Sequence, residues 1–233
     1  MSRHRAVTGQ GRRSALVGIA AALVLGLYRP VLAGVYEDFF RALQLDEVQT
    51  LRRLQQRGFD FNTPDESGQP PLLLALRLDS LKTAAFLAEQ PGFHLDAVNA
   101  NGENALMIAA LRGHVGLLRL MLRHGAEVNK PGWTPLHYAA THPTAVSVEM
   151  VDLLLEENAY IDAASPNETT PLMMAVRYGH RDAVRALLEA DADVSLRNQQ
   201  GLTALDFATQ SNRRDVADLI VRALRVRSGL SGW

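Results

Sequence analysis

The feature that most constrains this chain is a short sequence pattern that recurs five times at nearly regular intervals. The leucines shared by the five copies are Leu72, Leu106, Leu136, Leu172 and Leu205. Their successive spacings are 34, 30, 36 and 33, with a mean just over 33. A repeat of this length holds one small supersecondary unit, which cannot bury its apolar face alone. We therefore expect a stack of similar units that share one continuous core.

Each segment has the pattern of a helix start followed by a helical hairpin. In the third copy, Thr134 can accept a backbone N–H bond as an N-cap, and Pro135 has no N–H to leave unpaired. The turn within each helix pair, and the turn after it, each need a residue that tolerates the left-handed conformation. The residues predicted there are Asp79, Gly113, Gly179 and Asn212 within the pairs, and Gly58, Gly92, Gly125, Asn158 and Asp191 after them.

Residues 134–139, Thr-Pro-Leu-His-Tyr-Ala, resemble the signature of the ankyrin repeat family. The resemblance extends over about residues 36–226 in five in-register copies and a degenerate leading unit. It implies an all-α solenoid, in which stacked helix-turn-helix repeats are joined by β-hairpin loops. It also implies that His137 makes structural hydrogen bonds.

The repeat register predicts a division of the chain into four kinds of segment. A degenerate capping repeat at 34–66 follows a secretory signal peptide at 1–33, and a short flexible tail occupies 227–233. The five ankyrin repeats between them are expected at about 67–100, 101–130, 131–164, 165–198 and 199–226. The second helix of the last repeat is charged on one side, as a solvent-facing terminal cap should be.

The middle of the repeat array is irregular. The spacing of 30 removes about three residues from the hairpin at 129–132, and the following spacing of 36 inserts three between the helices at 142–147. Sequence drift explains both changes. They also fit a second interpretation, in which they reshape one stretch of the binding face.

Residues 1–33 have the pattern of an export signal. A basic head precedes an uncharged apolar run from Ser14 to Tyr28, and Val31-Leu32-Ala33 places small or modest residues before a cut after Ala33. The run is shorter than the roughly 18 residues that span a membrane. We therefore expect a cleaved signal and no stable membrane insertion afterwards, with a periplasmic or secreted domain. An uncleaved inner-membrane anchor would still leave the domain in the periplasm, and Arg12-Arg13 leaves twin-arginine export open beside the general secretory route.

Composition argues against several classes of function. The chain has no cysteine, which excludes disulfides, thiolate zinc sites and a cysteine nucleophile. Residues 1–33 hold five arginines and no acid, so the remaining 19 basic and 25 acidic residues give a net charge of -6 and no basic footprint for nucleic acid. The histidines follow the repeat or are dispersed, and no catalytic motif occurs. We expect no metal site, no cofactor and no enzymatic activity.

The family resemblance implies that a partner protein binds the concave face, through the hairpin tips and the ends of the first helices. Tryptophan, tyrosine and arginine are enriched among residues that dominate binding energy. The candidate contact residues are Trp133, Tyr178, Arg177, Arg112, His142 and Arg77. Four of them, Trp133, Arg112, Arg177 and Tyr178, are expected to form an aromatic and cationic cluster, unless Trp133 only packs on its own hairpin and the arginines are solvated.

Together these patterns favour a monomeric, exported adaptor or scaffold from a bacterium. A secreted effector that engages a host protein is the alternative. An enzyme or a metal-binding protein fits the sequence least.

Overall fold

A computed structural model of the protein describes residues 34–227. In this part the chain forms twelve helices and no β-strand. The helices are α1 (34–44), α2 (Val48–Gln56), α3 (Pro71–Arg77), α4 (Leu81–Ala88), α5 (Ala105–Arg112), α6 (Val115–Arg123), α7 (Pro135–Thr141), α8 (Val146–Glu156), α9 (Pro171–Tyr178), α10 (Arg181–Glu189), α11 (Ala204–Gln210) and α12 (Arg214–Arg227). The predicted signal peptide lies outside the described residues, as does the predicted tail beyond Arg227.

The helices form antiparallel pairs that stack into a solenoid. From α3 onward, each first helix of a pair packs against the first helix of the next pair, and the second helices pack in the same way. From α3 onward, one alanine in each first helix is fully buried at the same position of the repeat. These alanines are Ala75, Ala109, Ala139, Ala175 and Ala208. Their small side chains let neighbouring helices approach closely, so the core is continuous from one repeat to the next.

Most first helices begin as the sequence predicts. In α7 the Thr134 side chain makes no cap hydrogen bond with the backbone, because its hydroxyl donates to Nδ1 of His137 instead. Proline occupies the first helical position of α3, α7 and α9. The hydroxyl oxygens of Thr170 and Thr203 accept hydrogen bonds from backbone N–H groups three residues on, at 3.3 Å. The Asn104 side chain accepts the equivalent bond of α5 at 3.0 Å. These contacts satisfy backbone donors that a helix start leaves unpaired.

The predicted left-handed positions are confirmed except at Gly179. The other eight have φ between 53° and 84°. Gly179 has φ -81° and ψ 176°, an extended conformation open to any residue. The reason for glycine there is a close approach instead, because a Cβ atom would lie 2.0 Å from the backbone oxygen of Ala140 in the preceding repeat.

Hairpin-like turns, without β-strands in the described range, close the loops that join successive pairs. At four tips a short polar side chain accepts hydrogen bonds from the backbone of the same turn. The residues that do this are Asp65, Asn99, Ser165 and Asn198. The shortened third tip is held differently, because the Lys130 ammonium donates to the carbonyl oxygens of Pro131 and Trp133, at 3.3 Å and 3.2 Å.

A second set of side chains links each loop to the loop of the next repeat. Asn62 and Asn129 each make two such hydrogen bonds. The side-chain oxygen accepts one backbone N–H of the next loop, and the side-chain nitrogen donates to one backbone carbonyl there. Asp96 and Asp162 hold the equivalent positions and accept the N–H of Glu127 and of Asp193, both at 2.9 Å. A carboxylate has no donor for the carbonyl, so these two links are incomplete.

We expect Asp96→Asn to stabilise the protein by about 1 kcal/mol, the value of one additional hydrogen bond. The new amide would donate to the carbonyl of Gly125, which corresponds in the repeat to the Gly92 acceptor of Asn62. Burial raises the pKa of Asp96, so the carboxylate is also costly to keep charged at neutral pH. Urea unfolding at pH 7 measures the change. Glu127→Gln removes a nearby charge without adding this donor, and an equal gain in that variant would contradict the hydrogen-bond explanation.

Candidate protein-binding surface

A mostly apolar pocket of about 290 Å³ opens on the side of the stack that the first helices form. We call this side the first-helix face. The pocket is lined by Leu111, Trp133, His137, Tyr138, Thr141 and Met174, and we refer to it as the Trp133 pocket. Its lining comes from α5, α7, α9 and the third tip, so three consecutive repeats build it. A cavity of about 150 Å³ already holds a benzene ring, so this pocket has room for one large apolar side chain.

His137 fixes the floor of the pocket and the position of Trp133. The two rings meet edge to face, with centroids 5.2 Å apart. Nδ1 of His137 accepts from the backbone N–H of Thr134 at 3.2 Å, and from its hydroxyl at 2.8 Å. The proton therefore lies on Nε2, which donates to the carbonyl of Thr169 at 2.9 Å. Burial lowers the pKa of His137 to about 4, so the ring is neutral at pH 7.

A polar network borders the pocket on the side of the preceding repeats. The Tyr138 hydroxyl donates to Glu103 at 3.1 Å, and the Arg77 guanidinium donates to the other carboxylate oxygen of Glu103 at 3.0 Å. Burial acts to raise the pKa of Glu103, but hydrogen bonds from Asn99 and Tyr138 and the charge of Arg77 outweigh it and lower the pKa. Glu103 therefore stays charged, and its charge is neutralised by Arg77.

Arg112 and His142 lie at the C-terminal ends of the first helices. Arg112 pairs with Asp79 at 2.9 Å and donates to the carbonyl of Arg77 at 2.9 Å. The His142 ring lies over Gly113, where an added Cβ would be 2.7 Å from Nε2. The inserted residues thus bring the His142 ring into the turn of the neighbouring repeat.

Arg177 and Tyr178 lie at the C-terminal end of α9, one turn beyond the pocket residue Met174. The Arg177 guanidinium carbon is 5.2 Å from the centroid of the Tyr178 ring and 5.6 Å from that of Phe207. Within residues 34–227 no carboxylate pairs with Arg177. The Tyr178 side chain is 53% exposed. This pair is therefore a cation held against aromatic rings at the surface.

The six predicted residues thus fall into three local groups. Arg77 and Arg112 each pair with a carboxylate, and the His142 ring lies over Gly113, the residue after Arg112. Arg177 contacts Tyr178, and Trp133 faces the pocket. Tyr138 and Met174 were not among the predicted residues, although both line the pocket. Both occupy the variable position of the Thr-Pro-Leu-His-x-Ala signature, which is apolar or aromatic in all five copies, and this pattern was the signal that could have identified them.

Between residues 34 and 227, no three His, Asp or Glu side chains form a group that could hold a metal ion. In the same range no helix has both the length and the apolar character needed to cross a membrane.

Comparison with known proteins identifies the family. The model for ankyrin repeats in three copies matches residues 91–165 and 144–227, which together make up more than half of the chain. The chain belongs to the ankyrin repeat family. Its described part is an ankyrin solenoid, and ankyrin repeats are protein–protein interaction modules.

Human proteins with ankyrin repeats are among its relatives. SH3 and multiple ankyrin repeat domains protein 2 of Homo sapiens is 32% identical over 186 residues, which are 78% of this chain and 10% of that protein. Ankyrin repeat and SOCS box protein 16 of Homo sapiens is 38% identical over 157 residues, 66% of this chain and 34% of that protein. The chain thus spans about a tenth of the length of the first relative and about a third of the length of the second.

Two solved bacterial structures resemble the ankyrin solenoid over most of its length. One is the complex of the Bd0816 predatory endopeptidase from Bdellovibrio bacteriovorus with the immunity protein Bd3460, in which the similar chain is 26% identical with a TM-score of 0.68. The other is an ankyrin repeat domain from Acinetobacter baumannii, 25% identical with a TM-score of 0.69. Each match covers 79% of this chain and 96% of the other.

Proposed function

We infer that this chain is an exported, non-enzymatic adaptor that binds a partner protein through its first-helix face. The Trp133 pocket is the observation that supports this most directly. It is a concave apolar site on the surface, and Leu111 at its border is 48% exposed. Apolar pockets lined by aromatic residues are where partner side chains contribute most binding energy.

The comparisons and the composition support the same function. A similar chain occurs in the complex of an endopeptidase with an immunity protein, so a bacterial protein of this kind is found in a protein assembly. The net charge of -6 after residue 33 makes nucleic acid a poor partner. The export pattern of residues 1–33 supports a periplasmic or secreted location, where we propose that the domain acts as a monomer.

Affinity purification of the tagged full chain from its native cells, by fraction, tests the proposal. One dominant exported protein recovered with it from the periplasm would support the adaptor and identify the partner. Recovery from the medium or from host cells would favour a secreted effector instead. Recovery with cytoplasmic proteins and with residues 1–33 still attached would contradict the exported location.

We expect Trp133→Ala to weaken partner binding by about 2 kcal/mol or more, the usual threshold for a dominant interface residue. The change removes the aromatic wall of the pocket, while the backbone at this tip is held by Lys130. Isothermal titration with the purified partner measures the loss. Tyr160→Ala removes an aromatic side chain that is 68% exposed and is not in the pocket lining, and it should leave affinity unchanged. Equal affinities for both variants would show that Trp133 is not an anchor.

A further inference from the structure

The last turns of α3, α5 and α9 each hold one arginine, and of these three only Arg177 on α9 has no carboxylate partner among the described residues. Arg77 pairs with Glu103 at 3.0 Å, and Arg112 pairs with Asp79 at 2.9 Å. Arg177 has no such partner within residues 34–227, and its guanidinium lies against the rings of Tyr178 and Phe207. A guanidinium on an aromatic face keeps its edge N–H groups available as donors.

Arg177 lies within reach of whatever occupies the Trp133 pocket. Met174, which lines the pocket, precedes Arg177 by three residues on α9, so the two side chains share one face of that helix. Tyr178 follows and is exposed beside the guanidinium. The Trp133 pocket and the unpaired guanidinium of Arg177 therefore lie next to each other, about one helical turn apart.

Charge selects the chemistry of the occupant. A partner carboxylate would find Arg177 unpaired, whereas Glu103 and Asp79 are already balanced, Glu103 by Arg77 and Asp79 by Arg112. The whole domain after residue 33 has a net charge of -6, which disfavours a long acidic stretch. The complementary partner therefore presents a single carboxylate, because a contact pair is local while distant charges are screened over about 8 Å at physiological salt.

We propose that the partner segment recognised by this protein combines one large apolar side chain, seated in the Trp133 pocket, with one aspartate or glutamate that pairs with Arg177. This rests on the proposed function and names the chemistry of its partner. The rings of Tyr178 and Phe207 hold the guanidinium in place before binding, so little side-chain freedom is lost when the pair forms. The pocket supplies the anchor, and Arg177 selects among apolar segments by their charge.

A random twelve-residue peptide library displayed on phage, selected on the immobilised full chain, tests this directly. We expect the enriched peptides to contain Trp, Phe, Leu or Met with one Asp or Glu two to four positions away. A synthetic peptide of the enriched sequence should lose roughly fivefold in affinity when its acid is replaced by the amide. The Arg177→Gln variant should bind acid and amide peptides equally. Arg119→Gln is the control, because Arg119 lies on the second helix α6 and pairs with Glu149 of α8. This variant should still bind the acid peptide more tightly than the amide peptide.

The outcomes separate this inference from the proposed function. Peptides that lose binding with Trp133→Ala, but bind equally well as acid and amide, would overturn the role of Arg177 and leave the adaptor function standing. Peptides whose binding is unaffected by Trp133→Ala would overturn both. Circular dichroism of each variant shows whether the fold is intact.

Discussion

Replacing Gly179 by alanine is expected to lower the free energy of unfolding by about 3 kcal/mol, the upper end of what overpacking costs. The backbone at Gly179 is extended, so alanine adopts its conformation without strain. The cost comes from the neighbouring repeat, because the new Cβ would lie 2.0 Å from the Ala140 oxygen and 3.0 Å from Cα and O of Ala175. All three are backbone atoms, and α7 and α9 must separate to admit the methyl group.

Chemical denaturation at pH 7 measures this loss, and Gly116→Ala is its matched control. Gly116 lies within α6, and nothing approaches within 4 Å of the position of its added Cβ. Alanine there should stabilise the protein by roughly 0.5–1 kcal/mol through helix propensity. If Gly179→Ala cost less than about 1 kcal/mol, below the usual range for overpacking, the close contact between the two repeats would not exist as described.

The second large effect is a loss of stability on acidification that depends on His137. An unfolded histidine titrates near pH 6.5, whereas burial lowers the pKa of His137 in the folded protein to about 4. As the pH falls from 6.5 to 4, the unfolded chain binds a proton that the folded chain does not. The stability from the neutral ring is thus complete above pH 6.5 and declines as the pH falls, by about 3 kcal/mol in total.

The repeats themselves supply the variant that isolates this effect. Met107 and Met173 hold the position of His137 in the adjacent repeats, so methionine fits there. His137→Met should lower the free energy of unfolding at pH 7 through lost hydrogen bonds. Between pH 7 and 4.5, however, the stability of this variant should change less than that of the parent. Met173→Leu changes the equivalent buried position without a titrating ring and should keep the pH dependence of the parent. Parallel pH profiles for the parent and for His137→Met would contradict the buried neutral histidine.

Much of the fold could be predicted because its determinants are local in sequence. Threonine, proline and leucine at a helix start, and Gly, Asn or Asp at a turn, act within one unit and recur in register. Gly179 shows where this reasoning fails. Its residue type matched a left-handed turn, but the true constraint is the Ala140 oxygen, which belongs to another repeat.

The candidate surface was less predictable for the same reason. That Arg77 and Arg112 would be paired, and Arg177 would not, depends on side chains from neighbouring repeats that no single unit contains. The pocket likewise needs α5, α7 and α9 together. Residue types identified Trp133 as a candidate, but the roles of Tyr138 and Met174 depend on the assembled stack.

The ammonium group that closes the third tip has a practical consequence for chemical labelling. Lys82 and Lys130 are the two lysines of the sequence, and Lys130 contacts the backbone of the tip that presents Trp133. Amine-reactive coupling of this protein to a sensor surface can therefore place the linker beside the pocket and mask it. The same chemistry in a mixture with the partner turns Lys130 into a crosslinking point next to the contact, so the partner peptide joined to it reports which segment occupies the pocket.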